Sequence, residues 1–184
     1  MRQVKFKNLK KEVGFTFIEL LIVVAIVAIL SALVIAGFRE GNRESNLRFA
    51  SQNLVSVFKQ AQIMASSGKI PAGESDPPPG GYGVYIDSLT SYILFADKDD
   101  SGDYDVGEEV EDISLPNNIE FFEGGAPPNP VIGLNVLFAS PDGKMSIYLG
   151  SELADRTIVL RVSPSGGLIQ IYLNSTTGLI EASQ

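Results

Sequence analysis

Two stretches of this sequence set residue types at spacings that can do chemistry. The first is Gly14-Phe15-Thr16-Phe17-Ile18-Glu19, where one carboxylate stands five residues past a glycine and just inside a long apolar run. Near the end of a bilayer span, Glu19 would cost on the order of 2–3 kcal/mol, so it calls for a cation at the same depth. If the bond between Gly14 and Phe15 is cut, the freed α-amine of Phe15 is that cation. It can pair with Glu19 of its own chain or of a neighbour, and a neighbour's amine would also set the axial stagger between adjacent helices.

The second stretch is the acidic segment from Asp97 to Glu108. Calcium loops place oxygen ligands at positions 1, 3, 5, 7, 9 and 12, with glycine at 6 for the sharp turn. Counted from Asp97, those positions hold Asp97, Asp99, Ser101, Asp103, Asp105 and Glu108, with Gly102 at the turn. Ser101 departs from the usual Asp or Asn. Position 7 needs only a backbone carbonyl, and Glu108 is long enough to bind with both oxygens. An all-oxygen set suits Ca²⁺ over zinc or copper. The competing reading is a solvated acidic hairpin tip, because the flanks read as strands rather than the helices of an EF-hand.

The elements that position Glu19 come next. Leu20 to Phe38 contains no charge and no proline, and only Ser31 is conventionally polar. As a helix it would be roughly 28 Å long, close to the thickness of a bilayer core. It is apolar all round, which belongs in a membrane or inside an assembly. Residues 1–14 carry Arg2, Lys5, Lys7, Lys10 and Lys11 against Glu12 alone. That basic excess stays cytoplasmic and sends the C-terminal bulk to the outside. A secretory signal peptide would need a small-residue site after the run. The nearest candidate, Val34-Ile35-Ala36, puts valine where a small residue is wanted. A plain signal anchor accounts for everything except Glu19.

With its leader, GFTFIELLIVVAIVAIL resembles the N-terminal signature of type IV pilins and type II secretion pseudopilins. The resemblance implies cleavage after Gly14 by a prepilin peptidase, N-methylation of Phe15, and a role for Glu19 in assembly. It also implies an inner-membrane assembly platform and other subunits as partners. The expected location is a single-pass cytoplasmic-membrane protein with its C-terminal domain extracytoplasmic, and then a pilus or pseudopilus. A second stretch, YILFADKDDSGDYDVGEEVEDISLPNNIEF, is similar to the GspH/FimT group of minor pseudopilins.

Beyond the apolar run, Leu47, Ala50, Leu54, Val57, Phe58, Ala61, Met64 and Ala65 recur at helical spacing, with polar residues between them. This predicts an amphipathic continuation over 39–68, closed by Gly68 and ended before Pro71. Gly37 and Gly41 weaken the helix between its two parts. Residues 69–81 are rich in Pro and Gly and read as a loop. From Tyr82 onward, short β-branched and aromatic runs are separated by turn residues. Strands are expected at 81–87, 91–97, 108–114, 119–123, 133–139, 144–149, 157–163, 168–173 and 178–182. The fold class is therefore α+β, a long N-terminal helix packed on a C-terminal antiparallel sheet domain. The organisation reads as 1–14 leader, 15–38 membrane and assembly helix, 39–68 amphipathic helix, 69–81 loop and 82–184 β-domain.

Composition removes several function classes. The net charge is −8, and without residues 1–14 it is −12, which disfavours nucleic acid as a partner. Cysteine, histidine and tryptophan are absent, so disulfides, thiol nucleophiles and the commonest general base are absent too. SSGK at 66–69 has the spacing of a Ser-x-x-Lys motif without its companions, and Gly80-Gly81-Tyr82-Gly83 reads as a turn. No catalytic constellation emerges, and the chain reads as a non-enzyme. The expectation is a filament subunit. The rival is a membrane-anchored calcium-binding or adhesive domain that does not polymerise.

Overall fold

The computed structural model describes residues 14–124, 129–153, 155–162 and 167–183, without the side chains of 33, 35–40, 152 and 162. Residues 1–13 of the leader, Gly125 of the Gly124-Gly125 turn and most of the turn expected at Pro164-Ser165-Gly166-Gly167 lie outside these residues. The chain divides into two compact units, Met1–Gly41 and Asn42–Gln184.

Helix α1 spans Phe17–Ser66 and runs unbroken through Gly37 and Gly41. Within the first unit it carries the apolar run. Its large apolar side chains from Phe17 to Val34 are each 51–81 % exposed wherever they are described. Among the described residues no helix is long and apolar enough to cross a membrane.

Among its described residues the second unit contains the rest of α1 and ten strands. They are β1 (Gly81–Tyr85), β2 (Ser91–Asp97), β3 (Glu109–Ser114), β4 (Ile119–Glu123), β5 (Asn135–Phe138), β6 (Met145–Tyr148), β7 (Glu152–Leu153), β8 (Asp155–Val162), β9 (Leu168–Asn174) and β10 (Leu179–Ser183). Every strand pairing is antiparallel. Two sheets result: one of six strands in the order β3-β2-β1-β5-β6-β7, and one of four in the order β10-β9-β8-β4. The chain is thus α+β, as expected, with its strands divided between two sheets.

All eight apolar positions of the helical stripe, Leu47 through Ala65, are buried, at 6 % exposure or less. They share one core with Tyr82, Val84, Tyr92 and Leu94 of the six-stranded sheet and with Phe121, Ile158, Leu160 and Ile171 of the four-stranded sheet. Burying a side chain of this size contributes about 1.5–3 kcal/mol. Directed bonds fix the helix against the strands. Asn53 Nδ2 donates to Tyr92 Oη at 3.1 Å, and Tyr82 Oη donates to the Lys69 carbonyl at 2.7 Å. The helix closes as its sequence suggests: Gly68 takes φ +59°, its N–H reaches the Ala65 carbonyl, and the Lys69 N–H reaches that of Met64. This 6→1 and 5→2 pair satisfies carbonyls that would otherwise be orphaned.

Candidate functional site

Gly14, Phe15 and Thr16 precede the first helical residue, and Phe15 is 82 % exposed. Thr16 is the cap. Its Oγ1 accepts the Glu19 N–H at 3.3 Å, and its carbonyl accepts the Leu20 N–H at 3.2 Å. Thr16 and Glu19 therefore stand at the Thr-x-x-Glu spacing of a capping box. The sequence carries that signal openly, but attention to charge in an apolar run overlooks it. Glu19 lies in the first turn of α1 and is exposed. A carboxylate there is favoured by the helix dipole, and a cation freed at Phe15 would sit one turn away. The structure thus gives Glu19 a local role in starting the helix as well as an open face for a partner.

The acidic segment joins β2 to β3 and folds back on itself. Asp97 is the last residue of β2 and is fully buried, while Glu108 is 5 % exposed. Asp97 Oδ1 accepts the Ser101 N–H at 3.2 Å, and Oδ2 accepts the Gly102 N–H at 2.9 Å. Glu108 closes the far side, its Oε1 accepting the Lys98 N–H at 2.7 Å and its Oε2 the Asp105 N–H at 3.1 Å. Burial pushes the Asp97 carboxyl above the ordinary carboxylate range, with the charge of Glu108 adding to the rise and the Gly102 N–H opposing it. Space for Asp97 comes from the Pro/Gly-rich loop. A Cβ on Gly80 would collide with the Asp97 carboxylate, so glycine is required there.

Asp97, Asp99 and Glu108 bring carboxylate oxygens within 4.8 Å of one another, close enough to hold a cation. The carboxylates of Asp103 and Asp105 are not in that group. Ser101 Oγ donates to the Asp103 carbonyl at 3.1 Å, the atom expected at position 7. The Asp103 carboxylate accepts Asn135 Nδ2 at 3.3 Å. Asp105 contributes its N–H to Glu108, as above. The flanks are strands β2 and β3, as the sequence reading held.

Two residues that hold this loop escaped sequence reading. Asn135, 1 % exposed on β5, donates Nδ2 to the Gly102 carbonyl at 2.7 Å. Tyr104 stacks on Tyr85 at 5.0 Å between centroids and meets Phe95 edge-on at 5.7 Å. With Ile93 and Leu137 these rings make a second, smaller apolar cluster. Period-2 alternation places Ile93 and Phe95 on the face of β2 opposite Tyr92 and Leu94. The Tyr104 hydroxyl donates to Glu109, and this bond, with partial burial and neighbouring carboxylates, pushes the phenol up to about 12. The same bond lowers the Glu109 carboxyl. Lys98 ties the loop to the Pro/Gly-rich segment through Glu74 at 3.1 Å.

Residues 9–35 match the prokaryotic N-terminal methylation motif, which spans Gly14, Phe15, Glu19 and most of the apolar run. This is the motif of the type IV pilin and pseudopilin family, and it implies processing by a prepilin peptidase and anchoring in the inner membrane before assembly. No curated protein and no solved structure matches the chain.

Proposed function

We propose that the chain is a non-enzymatic structural subunit, a pilin or minor pseudopilin, of a type IV pilus or type II secretion pseudopilus. It is cut after Gly14, methylated on Phe15, and assembled through α1. The observation that carries this reading is the methylation motif over residues 9–35 set on a stretch of helix, Phe17 to Val34, whose described large apolar side chains are more than half exposed. Contiguous apolar surface of that extent needs a lipid or protein cover. Before assembly the cover is the bilayer. Afterwards it is the same helix of neighbouring copies, with the Phe15 amine of one copy neutralising Glu19 of another. Glu19→Ala in the full-length chain tests this. Processing is expected to persist by mass spectrometry while recovery in sheared filaments falls to background. Unchanged recovery would favour a tethered domain that never polymerises.

A second reading concerns the loop. Asp97, Asp99 and Glu108 form the core of a Ca²⁺ site, with Ser101, Asp103 and Asp105 as outer ligands that close on the ion. The convergence of three carboxylates, two of them buried, favours it. Calorimetric titration of the purified chain with Ca²⁺ checks it. Saturable heat is expected, and none would remove the site.

A further inference from the structure

We propose that strand β3 and the groove beside it form one half of a contact between successive copies of this chain, and that the C-terminal end of α1 forms the other half. The proposal rests on the filament reading above. Among the described residues β3 is an outer strand, hydrogen-bonded to β2 alone. All of Glu109–Ser114 is exposed except half-buried Ile113. Beside it lies a groove of about 480 Å³, lined by Tyr92, Ile113 and Tyr104 together with Asp87, Glu109 and Asp112, and by no basic residue. A bare outer strand is a template for pairing with another chain, and charge along it is one way to restrict that pairing. Two copies meeting β3 to β3 would set the acidic row Glu109, Glu111 and Asp112 of one against the same row of the other. The self-complementary contact is therefore opposed, and a contact between two different patches stays open. Contacts of that second kind, when they do not close into a ring, build helical filaments.

The complementary patch lies on the solvent side of α1. A groove of about 420 Å³ there is lined by Ser56, Lys59, Ile63, Met64, Ser67 and Lys69, with Gln60. Ile63 is 66 % exposed although Met64 beside it is buried. Arg48, Lys98 and Arg156 are each held in ion pairs within the chain. Lys59 and Lys69 make no ion pair among the described residues and are exposed. In a chain so rich in acid, two lysines flanking an exposed isoleucine match a groove of three carboxylates with apolar and aromatic walls. The ammonium groups would lie among Asp87, Glu109 and Asp112, with Tyr104 offering a cation–π face. Ile63 would cover Ile113. Such charge matching sets register and partner choice.

The chain has no cysteine, so introduced pairs report cleanly. Full-length copies bearing Lys59→Cys are co-expressed with copies bearing Asp112→Cys and treated with a short bismaleimide. Cross-linked dimers are expected in sheared filaments and not in unassembled membrane protein. Charge reversal adds a second arm. Lys59→Glu with Lys69→Glu, or Asp87→Lys with Asp112→Lys, is expected to lower filament yield about tenfold, the scale of close interfacial charge pairs. Combining all four is expected to restore yield to within about threefold, because the changes couple. Steady-state amount and protease resistance of each variant exclude loss of folding. Filaments without the cross-link, reversal variants that assemble normally, or a folded quadruple variant that recovers nothing would each overturn the contact. In all three cases a strict need for Glu19 would leave the filament reading standing. Only loss of that need would take the reading down as well.

Discussion

The two parts of α1 solve opposite problems with similar residues. From Phe17 to Val34, its described large apolar side chains are at least half exposed, and they point in every direction around the axis. From Leu47 to Ala65 the apolar residues keep to one stripe, and that stripe is covered by both sheets. Leucine, valine and phenylalanine occur in both parts, so residue type does not decide burial. Periodicity does. A stripe asks for a partner on one side, and the second unit supplies it from its own strands. An all-round apolar surface asks for partners on every side, which a single chain cannot provide.

The sharpest way to break that comparison is to stop the first part from leaving the membrane. Gly14→Leu is expected to keep residues 1–14 attached, so that the mass of the mature chain still begins at Met1, and to abolish assembly while leaving the second unit folded. Assembly with the leader retained would show that the freed amine is not what the helix needs. Next in size is the covered stripe. Phe58 is fully buried, and Phe58→Ala is expected to cost about 3–5 kcal/mol in denaturant unfolding of the purified chain. A loss below about 1 kcal/mol would mean that the second part of α1 is not held by its sheets.

The acidic loop gives a smaller effect with a defined sign. Because the folded Asp97 carboxyl lies above its ordinary value, its contribution to stability is fully present below that value and is lost as pH rises through the raised one. Where Asp97 is ionised, it is therefore a net cost that a cation can offset. With Ca²⁺ at about one hundred times its dissociation constant, the gain is about 2.7 kcal/mol. Melting curves with and without Ca²⁺ are expected to separate at pH 7 and to merge near pH 4, where fewer carboxylates are ionised. Asp97→Asn is expected to remove the separation at pH 7. The smallest effect belongs to the cap. Thr16→Ala is expected to cost about 1 kcal/mol at the start of α1. Faster hydrogen exchange at the Glu19 amide would report it.

What the sequence made legible follows the range of each signal. The stripe on α1 is a local pattern, and Leu47, Ala50, Leu54, Val57, Phe58, Ala61, Met64 and Ala65 are buried as their spacing demands. Gly68 closes the helix for a reason visible in one residue. Most strands were equally readable, because β-branched runs bounded by turns are also local. The long-range pairing of the strands was not readable. β1 pairs with β5 as well as β2, and β4 pairs with β8, across separations on which no short-range pattern reports. β7 went unseen because two residues, Glu152 and Leu153, are too short for any period to register.

The candidate site divides in the same way. The acidic spacing pointed to Asp97, Asp99 and Glu108, which do converge. The same counting put the Asp103 carbonyl and Asp105 in the ligand set, whereas that carbonyl accepts Ser101 Oγ and Asp105 turns its amide toward Glu108. Ring contacts from Tyr104 and a hydrogen bond from β5 fold the loop, and both depend on tertiary neighbours.

The far end of α1 is fastened to turns and strands by several small bonds. Ser140 Oγ reaches the Ala65 carbonyl, Gln62 Nε2 reaches that of Gly143, and Tyr82 Oη reaches that of Lys69. A pull applied along α1 at Leu47 would therefore load the whole buried stripe in shear, with these bonds resisting together at its far end. Parting the helix from the sheets would require sliding many side chains at once, the loading mode in which packed elements are hardest to separate. A fold built this way bears tension along the axis of its own buried helix.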